Sequence, residues 1–237
     1  MQITLANAPV FHSHSLNELF DGEMQLDDQG LFRPLELILF EGTQVEVLGE
    51  EEDFFEVRIC HYPSQVPLYV PKIFIGRGAP KKRVMPTREQ LLERLYSKLG
   101  LPYIWGGNCS AGIPEMLTLF PPKNLLTEEE EARWTFRGLD CSGLLYEATD
   151  GLVPRNTASM MEFGEPVTGD LEPLDLILFK GHVLFVAEEG KVIESHLADG
   201  GVVLHNLKER LDAIQEPLSF RRFSKILRNS SLSKSLS

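Results

Sequence analysis

The chain has 237 residues, 43% of them apolar, which is enough to bury a substantial core in one or two domains. Its 23 basic residues against 35 acidic ones leave a formal net charge of −12. That balance argues against broad electrostatic binding of nucleic acid or of an anionic membrane, and suits a ligand carrying ammonium groups.

The N-terminal residues, Met1 to Pro9, lack the basic start and long apolar stretch of a secretory signal, so a cytoplasmic protein is expected. Residues 1–80 read as a small β domain. Gly42 to Leu48 alternates with period two, Phe54 to Ile59 follows an acidic turn, and Leu68 to Pro71 comes after a proline-rich loop, spacings that suggest a small barrel. Gly76 to Arg83 has the composition of an exposed linker. Pro86 to Gly100 is predicted to be a helix, with Thr87 as its cap, leucines at helical spacing and a terminal glycine. Residues 108–138 form a long insertion, either a lid or a solvated decoration, in which Thr127 ahead of Glu128 to Glu131 looks like a capped helix start.

The most informative segment follows: Leu139-Asp140-Cys141-Ser142-Gly143, then the apolar run Leu144-Leu145-Tyr146. It reads as a cysteine at the start of a buried helix, capped by Asp140, where the positive end of the helix dipole favours thiolate and so a nucleophile. A cysteine alone is more often a small buried hydrophobe. What changes the reading is Gly181-His182-Val183-Leu184-Phe185-Val186, a strand that opens on a histidine just after the Leu176 to Phe179 strand. On the strand that returns, Lys191 to His196, alternation puts Val192, Glu194 and His196 on one face. A cysteine nucleophile needs an imidazole and a third polar group to orient it, and either Glu194 or His196 could be that third group. Cys60, Cys109 and Cys141 are too few for a disulfide framework and form no zinc-type pair, so neither metal nor cofactor is expected.

Over about residues 86 to 212 the chain resembles the NlpC-type cell-wall peptidases, papain-like cysteine endopeptidases. The matching pieces are Pro102 to Gly107, Leu139 to Gly143, Val153 to Ser159, Asp175 to Phe179, and His182-Val183 with Gly190 to Ile193. The resemblance implies an α+β fold, a papain-like domain of helices packed on an antiparallel sheet over 81–225, preceded by a bacterial SH3-like barrel and followed by a disordered tail at 226–237. It implies Cys141 as nucleophile and His182 as general base and acid. Tyr103, Asp140, Ser142, Arg155 and Asn156 are implied near the substrate, and Glu36 of the barrel as the carboxylate that meets a stem peptide's free amine. Counting from His182 in the family's hairpin register reaches Glu194, where a histidine is usual; matching by type reaches His196. A carboxylate there would raise the proton affinity of His182 by its charge. Two further departures stand out: Leu174 occupies the place of a usual glycine before Asp175, and Asn156 that of a frequent aspartate. The implied activity is cleavage of the γ-D-glutamyl to diamino-acid bond of peptidoglycan stem peptides or muropeptides by a monomer. An acyltransferase or amidase on the same scaffold, or a non-catalytic wall-peptide binder, are the alternatives.

Overall fold

The computed structural model describes residues 1–15 and 20–223, and the expected tail at 226–237 lies outside them. The chain divides into two compact units, residues 1–82 with 104–138, and residues 83–103 with 139 onward.

The first unit is built on a seven-stranded antiparallel sheet of β1 (Gln2–Thr4), β2 (Ala8–Phe11), β3 (Leu35–Leu39), β4 (Gln44–Glu51), β5 (Phe54–Arg58), β6 (Tyr69–Pro71) and β7 (Ile75–Arg77). Their order is β3-β2-β6-β5-β4-β1-β7. The insertion at 108–138, a lid or a solvated decoration, is expected within the domain at 81–225. Residues 104–138 belong instead to this first unit, and the physical reason is visible in its core. Buried Asn108 takes the place of a strand neighbour: its Oδ1 accepts the Ile38 N–H at 2.9 Å and its Nδ2 donates to the Ile38 carbonyl at 2.8 Å. Phe120, Trp134 and Phe136 then pack with Phe11, Phe20 and Phe32 in one aromatic cluster. Trp134 satisfies its indole N–H on the Phe120 carbonyl at 2.8 Å. The helix Glu128–Trp134 starts on Thr127 with a capping box to Glu130, as its sequence suggests.

The second unit opens with α1 (Arg88–Tyr96), where Thr87 and Gln90 form the capping box and Leu91 and Leu95, four apart, are buried. Next comes α2 (Cys141–Ala148), which has a buried residue at every position but Glu147. After α3 (Thr157–Met160), a six-stranded antiparallel sheet is made of β8 (Glu165–Pro166), β9 (Leu176–Phe179), β10 (His182–Val186), β11 (Lys191–His196), β12 (Gly201–Asn206) and β13 (Ser219–Arg222). The order is β8-β13-β9-β10-β11-β12. Helix α2 packs against α1, β10 and β11, while α4 (Leu207–Ala213) packs on β11 and β12. Period-two alternation sorts the sheet's side chains between these helices. Ser195 points toward α2, where its hydroxyl donates to the Leu139 carbonyl at 2.6 Å. Leu184, Val186 and Val192 cluster with Leu207 and Leu211 of α4. Helices packed on an antiparallel sheet make this unit α+β, as the resemblance implied.

Leu174 stands where the resemblance implies glycine, and its φ is +73°, the left-handed region that glycine enters freely and an L side chain only at a cost of about 1–2 kcal/mol. The turn keeps its shape because Leu174 is buried, its N–H donates to the Val186 carbonyl at 2.7 Å, and the neighbouring Asp175 is gripped bidentately by Arg222 at 2.7 and 2.6 Å. Among the described residues no helix is long and apolar enough to cross a membrane.

Candidate active site

Cys141 is the first residue of α2. Asp140 caps the helix, its Oδ1 accepting the Gly143 N–H at 2.7 Å, so the chain turns sharply into the helix at the sulfur. The thiol lies 3.9 Å from the Gly181 carbonyl and accepts a hydrogen bond from the Val183 N–H. It therefore touches the backbone on both sides of His182. Only 6% of the residue is exposed. Burial pushes the thiol up, and the charge of Asp140 adds to the effect, raising it to about 12 against the opposing pull of the Val183 N–H, Arg155 and the Ser142 N–H. Desolvation of the charged form thus opposes the helix terminus, whose dipole favours thiolate.

His182 opens β10, and its ring lies against Phe179 with centroids 5.1 Å apart. Its Nε2 is 2.7 Å from Glu194 Oε2. A carboxylate can only accept, so Nε2 carries the proton and, in the neutral ring, Nδ1 presents a lone pair suited to a general base. Glu194 and His196 were both candidates for the orienting role, and Glu194 makes the contact. The His196 ring instead stands edge-on to His182, centroids 5.6 Å apart, and its Nδ1 is bonded to Asp199 at 2.6 Å.

Glu194 is fully buried on β11 and surrounded by donors. Arg210 of α4 grips it bidentately, Nε to Oε1 at 2.6 Å and Nη2 to Oε2 at 2.9 Å, and His205 of β12 reaches Oε1 with Nδ1 at 2.8 Å. Burial by itself would raise this carboxyl, but the hydrogen bonds from His182, Arg210 and His205 outweigh it and hold Glu194 ionised, well below the usual carboxylate range. Sequence reasoning named neither Arg210 nor His205. The signal available was indirect: a buried glutamate demands a cation, and the short turn after His196 sets a hairpin register in which His205 stands opposite Val192, diagonal to Glu194 on the same face.

The residues expected near the substrate lie in four places. Asp140, Ser142 and Arg155 form one buried network beneath the cysteine: Arg155 donates to Asp140 at 2.9 and 2.7 Å and to the Ser142 hydroxyl at 2.9 Å, and Ser142 donates to Asp140 at 3.1 Å. These side chains shape the helix start. Asn156 caps α3, accepting the Ser159 N–H at 2.8 Å. Tyr103 is bridged through its backbone to Leu139, two residues before Cys141, and its N–H donates to the Gly200 carbonyl at 2.8 Å. Glu36 lies in the first unit, where it accepts from the Tyr62 hydroxyl at 2.8 Å and faces His12 Nδ1 at 2.8 Å.

Solved structures of NlpC/P60 family proteins are similar to this chain. One, an NlpC/P60 family protein from Bacillus cereus ATCC 10987, is 19% identical with a TM-score of 0.44, over 94% of this chain and 62% of that one. The chain thus spans less than two thirds of that protein's length. The peptidoglycan hydrolase RipB from Mycobacterium tuberculosis is 24% identical with a TM-score of 0.42, over 57% of this chain and 63% of its own. RipD from the same organism, described as a non-catalytic NlpC/p60 domain protein adapted to peptidoglycan binding, is 20% identical with a TM-score of 0.41, over 57% and 95%. No family model and no curated protein matches the chain.

What the site can do follows from its own geometry. The site sets a buried thiol against the backbone on both sides of a histidine whose tautomer a carboxylate fixes, residue types that cysteine-based acyl transfer employs. Among the described residues no group of three or more His, Cys, Asp or Glu is arranged to hold a metal ion.

Proposed function

We propose that the protein is a cysteine endopeptidase of peptidoglycan stem peptides, cutting the bond between γ-D-glutamate and the diamino acid. The observation that carries the chemistry is the placement of the Cys141 sulfur between the Gly181 carbonyl and the Val183 N–H, with His182 held by Glu194. The substrate class rests on the resemblance of the five ordered motifs.

A thiol raised to about 12 gives up its proton only to a base that keeps the resulting charge pair together. His182 is that base: the proton passes from Sγ to the ring, the thiolate adds to the amide carbonyl, and the imidazolium returns the proton to the departing amine. Water, activated by the neutral ring, then hydrolyses the thioester. At the start of α2 the Gly143 N–H is spent on Asp140 and the Ser142 N–H leans on the sulfur. The Cys141 N–H is therefore the helix donor assigned to the oxyanion, worth about 3 kcal/mol of barrier where well placed.

The test is incubation of the parent protein and Cys141→Ala with the free stem tripeptide and with the same peptide attached to its sugar, products being read by mass spectrometry. Release of L-Ala-γ-D-Glu by the parent alone is expected. No cleavage with binding retained would replace the proposal by a wall-peptide binder, and transfer to an added amine in preference to water by an acyltransferase.

A further inference from the structure

Glu194 poses an electrostatic problem that its surroundings answer. A lone buried carboxylate hydrogen-bonded to an imidazole would draw a proton onto the ring and hold it there as imidazolium. A ring so locked still escorts a thiolate, but no longer serves as the neutral base that activates water. The charged and titratable groups around His182 are Cys141 on α2, Glu194 and His196 on β11, Asp199 in the turn, His205 on β12 and Arg210 on α4. Of these, Arg210 bears the fixed positive charge, and its fork spans both oxygens of Glu194, at 2.6 and 2.9 Å. His205 fills a further acceptor position on Oε1 at 2.8 Å, leaving Oε2 shared between the fork and His182.

We propose that Arg210, assisted by His205, is a positioning residue that turns Glu194 into the electrostatic equivalent of a neutral acceptor: it keeps the carboxylate's geometry toward His182 Nε2 while cancelling its charge. The pair thus supplies what one side-chain amide would supply in the same place. This deepens the reading above, since Cys141 and His182 are taken as the reacting pair.

The proposal makes a prediction of sign. Arg210→Met uncovers the charge of Glu194, favours imidazolium and with it the thiolate, and so raises the rate at which iodoacetamide labels Cys141 at neutral pH by about tenfold, while turnover of the tripeptide falls. Glu194→Gln leaves Arg210 as an uncovered cation and lowers labelling by a similar factor. The double variant, with neither charge, returns labelling to within about threefold of the parent. A merely structural role predicts otherwise: loosening the site would slow labelling and turnover together, and the double variant would be the worst.

The experiment is labelling of each purified variant with iodoacetamide, Cys141 being read by peptide mass mapping apart from Cys60 and Cys109. Alongside it, ring ¹⁵N spectra of His182 are recorded, the parent being expected to show Nε2–H with a bare Nδ1 and Arg210→Met both nitrogens protonated. Arg210→Lys, which keeps the charge without the fork, is expected to label near the parent's rate and guards against misfolding of the methionine variant. Slower labelling in Arg210→Met with a folded spectrum, a double variant below both single ones, or a parent ring already protonated on both nitrogens would overturn the proposal. Neither readout needs a cleavable peptide, so failure of the proposed activity is told apart from failure of this inference.

Discussion

Arg155→Met tests whether the cysteine helix is held in place by a buried ion pair. The two side chains are 3% and 11% exposed, so solvent screens the pair little. Arg155 supplies Nη1 to Asp140 Oδ1 at 2.9 Å and Nη2 to Oδ2 at 2.7 Å, while the Gly143 N–H and the Ser142 hydroxyl both sit on Oδ1. Removing one partner of a buried pair costs about 3–5 kcal/mol, because the other charge is left desolvated. The two donors that stay on Oδ1 place the expected loss near the lower end, about 3 kcal/mol. Urea denaturation followed by far-UV circular dichroism at neutral pH would report it as a midpoint lowered by about 1–3 M at an ordinary slope. The decisive comparison is Asp140→Ala with Arg155→Met in one chain. That variant buries no charge and forfeits chiefly the helix cap, about 1 kcal/mol, so it should be more stable than Arg155→Met alone. A double variant less stable than the single one would refute the ion-pair account and leave Arg155 stabilising the helix by packing against the Tyr146 ring, 5.9 Å away.

The same network sets the thiol's readiness, since Asp140 raises the Cys141 thiol and Arg155 lowers it. Asp140→Asn should therefore speed labelling of Cys141 by iodoacetamide at fixed pH and Arg155→Met should slow it, each read by mass mapping; shifts in the reverse directions would contradict the assignment. In the first unit, Asn108→Ala strands the N–H and carbonyl of fully buried Ile38 and should cost about 2–4 kcal/mol. Tryptophan fluorescence during urea unfolding follows that loss directly, because Trp105 and Trp134 both lie in this unit. Glu194 is held below its ordinary value of 4.5, so its contribution to stability is fully present above that pH and drains away as pH falls further. The stability difference between the parent and Glu194→Gln should accordingly shrink between about pH 6 and about pH 3 in chemical denaturation, and a gap that widens on acidification would contradict it.

Local chemistry was legible in the sequence and tertiary chemistry was not, as individual residues show. The cap at Asp140, the apolar run behind Cys141, the capping boxes at Thr87 and Thr127 and the strand that opens on His182 are each decided by residues within a few positions of one another. Alternation along β11 put Glu194 and His196 on one face, but could not say which of them His182 meets. Asp199, by bonding His196, and Arg210, by gripping Glu194, separate the two. That residues 104–138 group with the first unit is not legible in the sequence, because Asn108 finds its partner Ile38 seventy positions away, and no pattern of polar and apolar residues reports such a pairing. Nor could the dipole argument at Cys141 weigh burial, which depends on strands that come some forty residues later.

In the proposed mechanism, burial and Asp140 raise the thiol, so the proton moves within the Cys141–His182 pair as the carbonyl arrives. The proposed transfer would create an imidazolium beside Glu194, where an uncancelled carboxylate would stabilise it too well for the return step. Under the proposed charge cancellation, Arg210 leaves the imidazolium a hydrogen bond at 2.7 Å without a net countercharge, so ring protonation can reverse in each half of the reaction. A glutamate can then serve as the orienting residue provided α4 brings an arginine to it. The general consequence is that the orienting carboxylate and its arginine should be exchanged together or not at all.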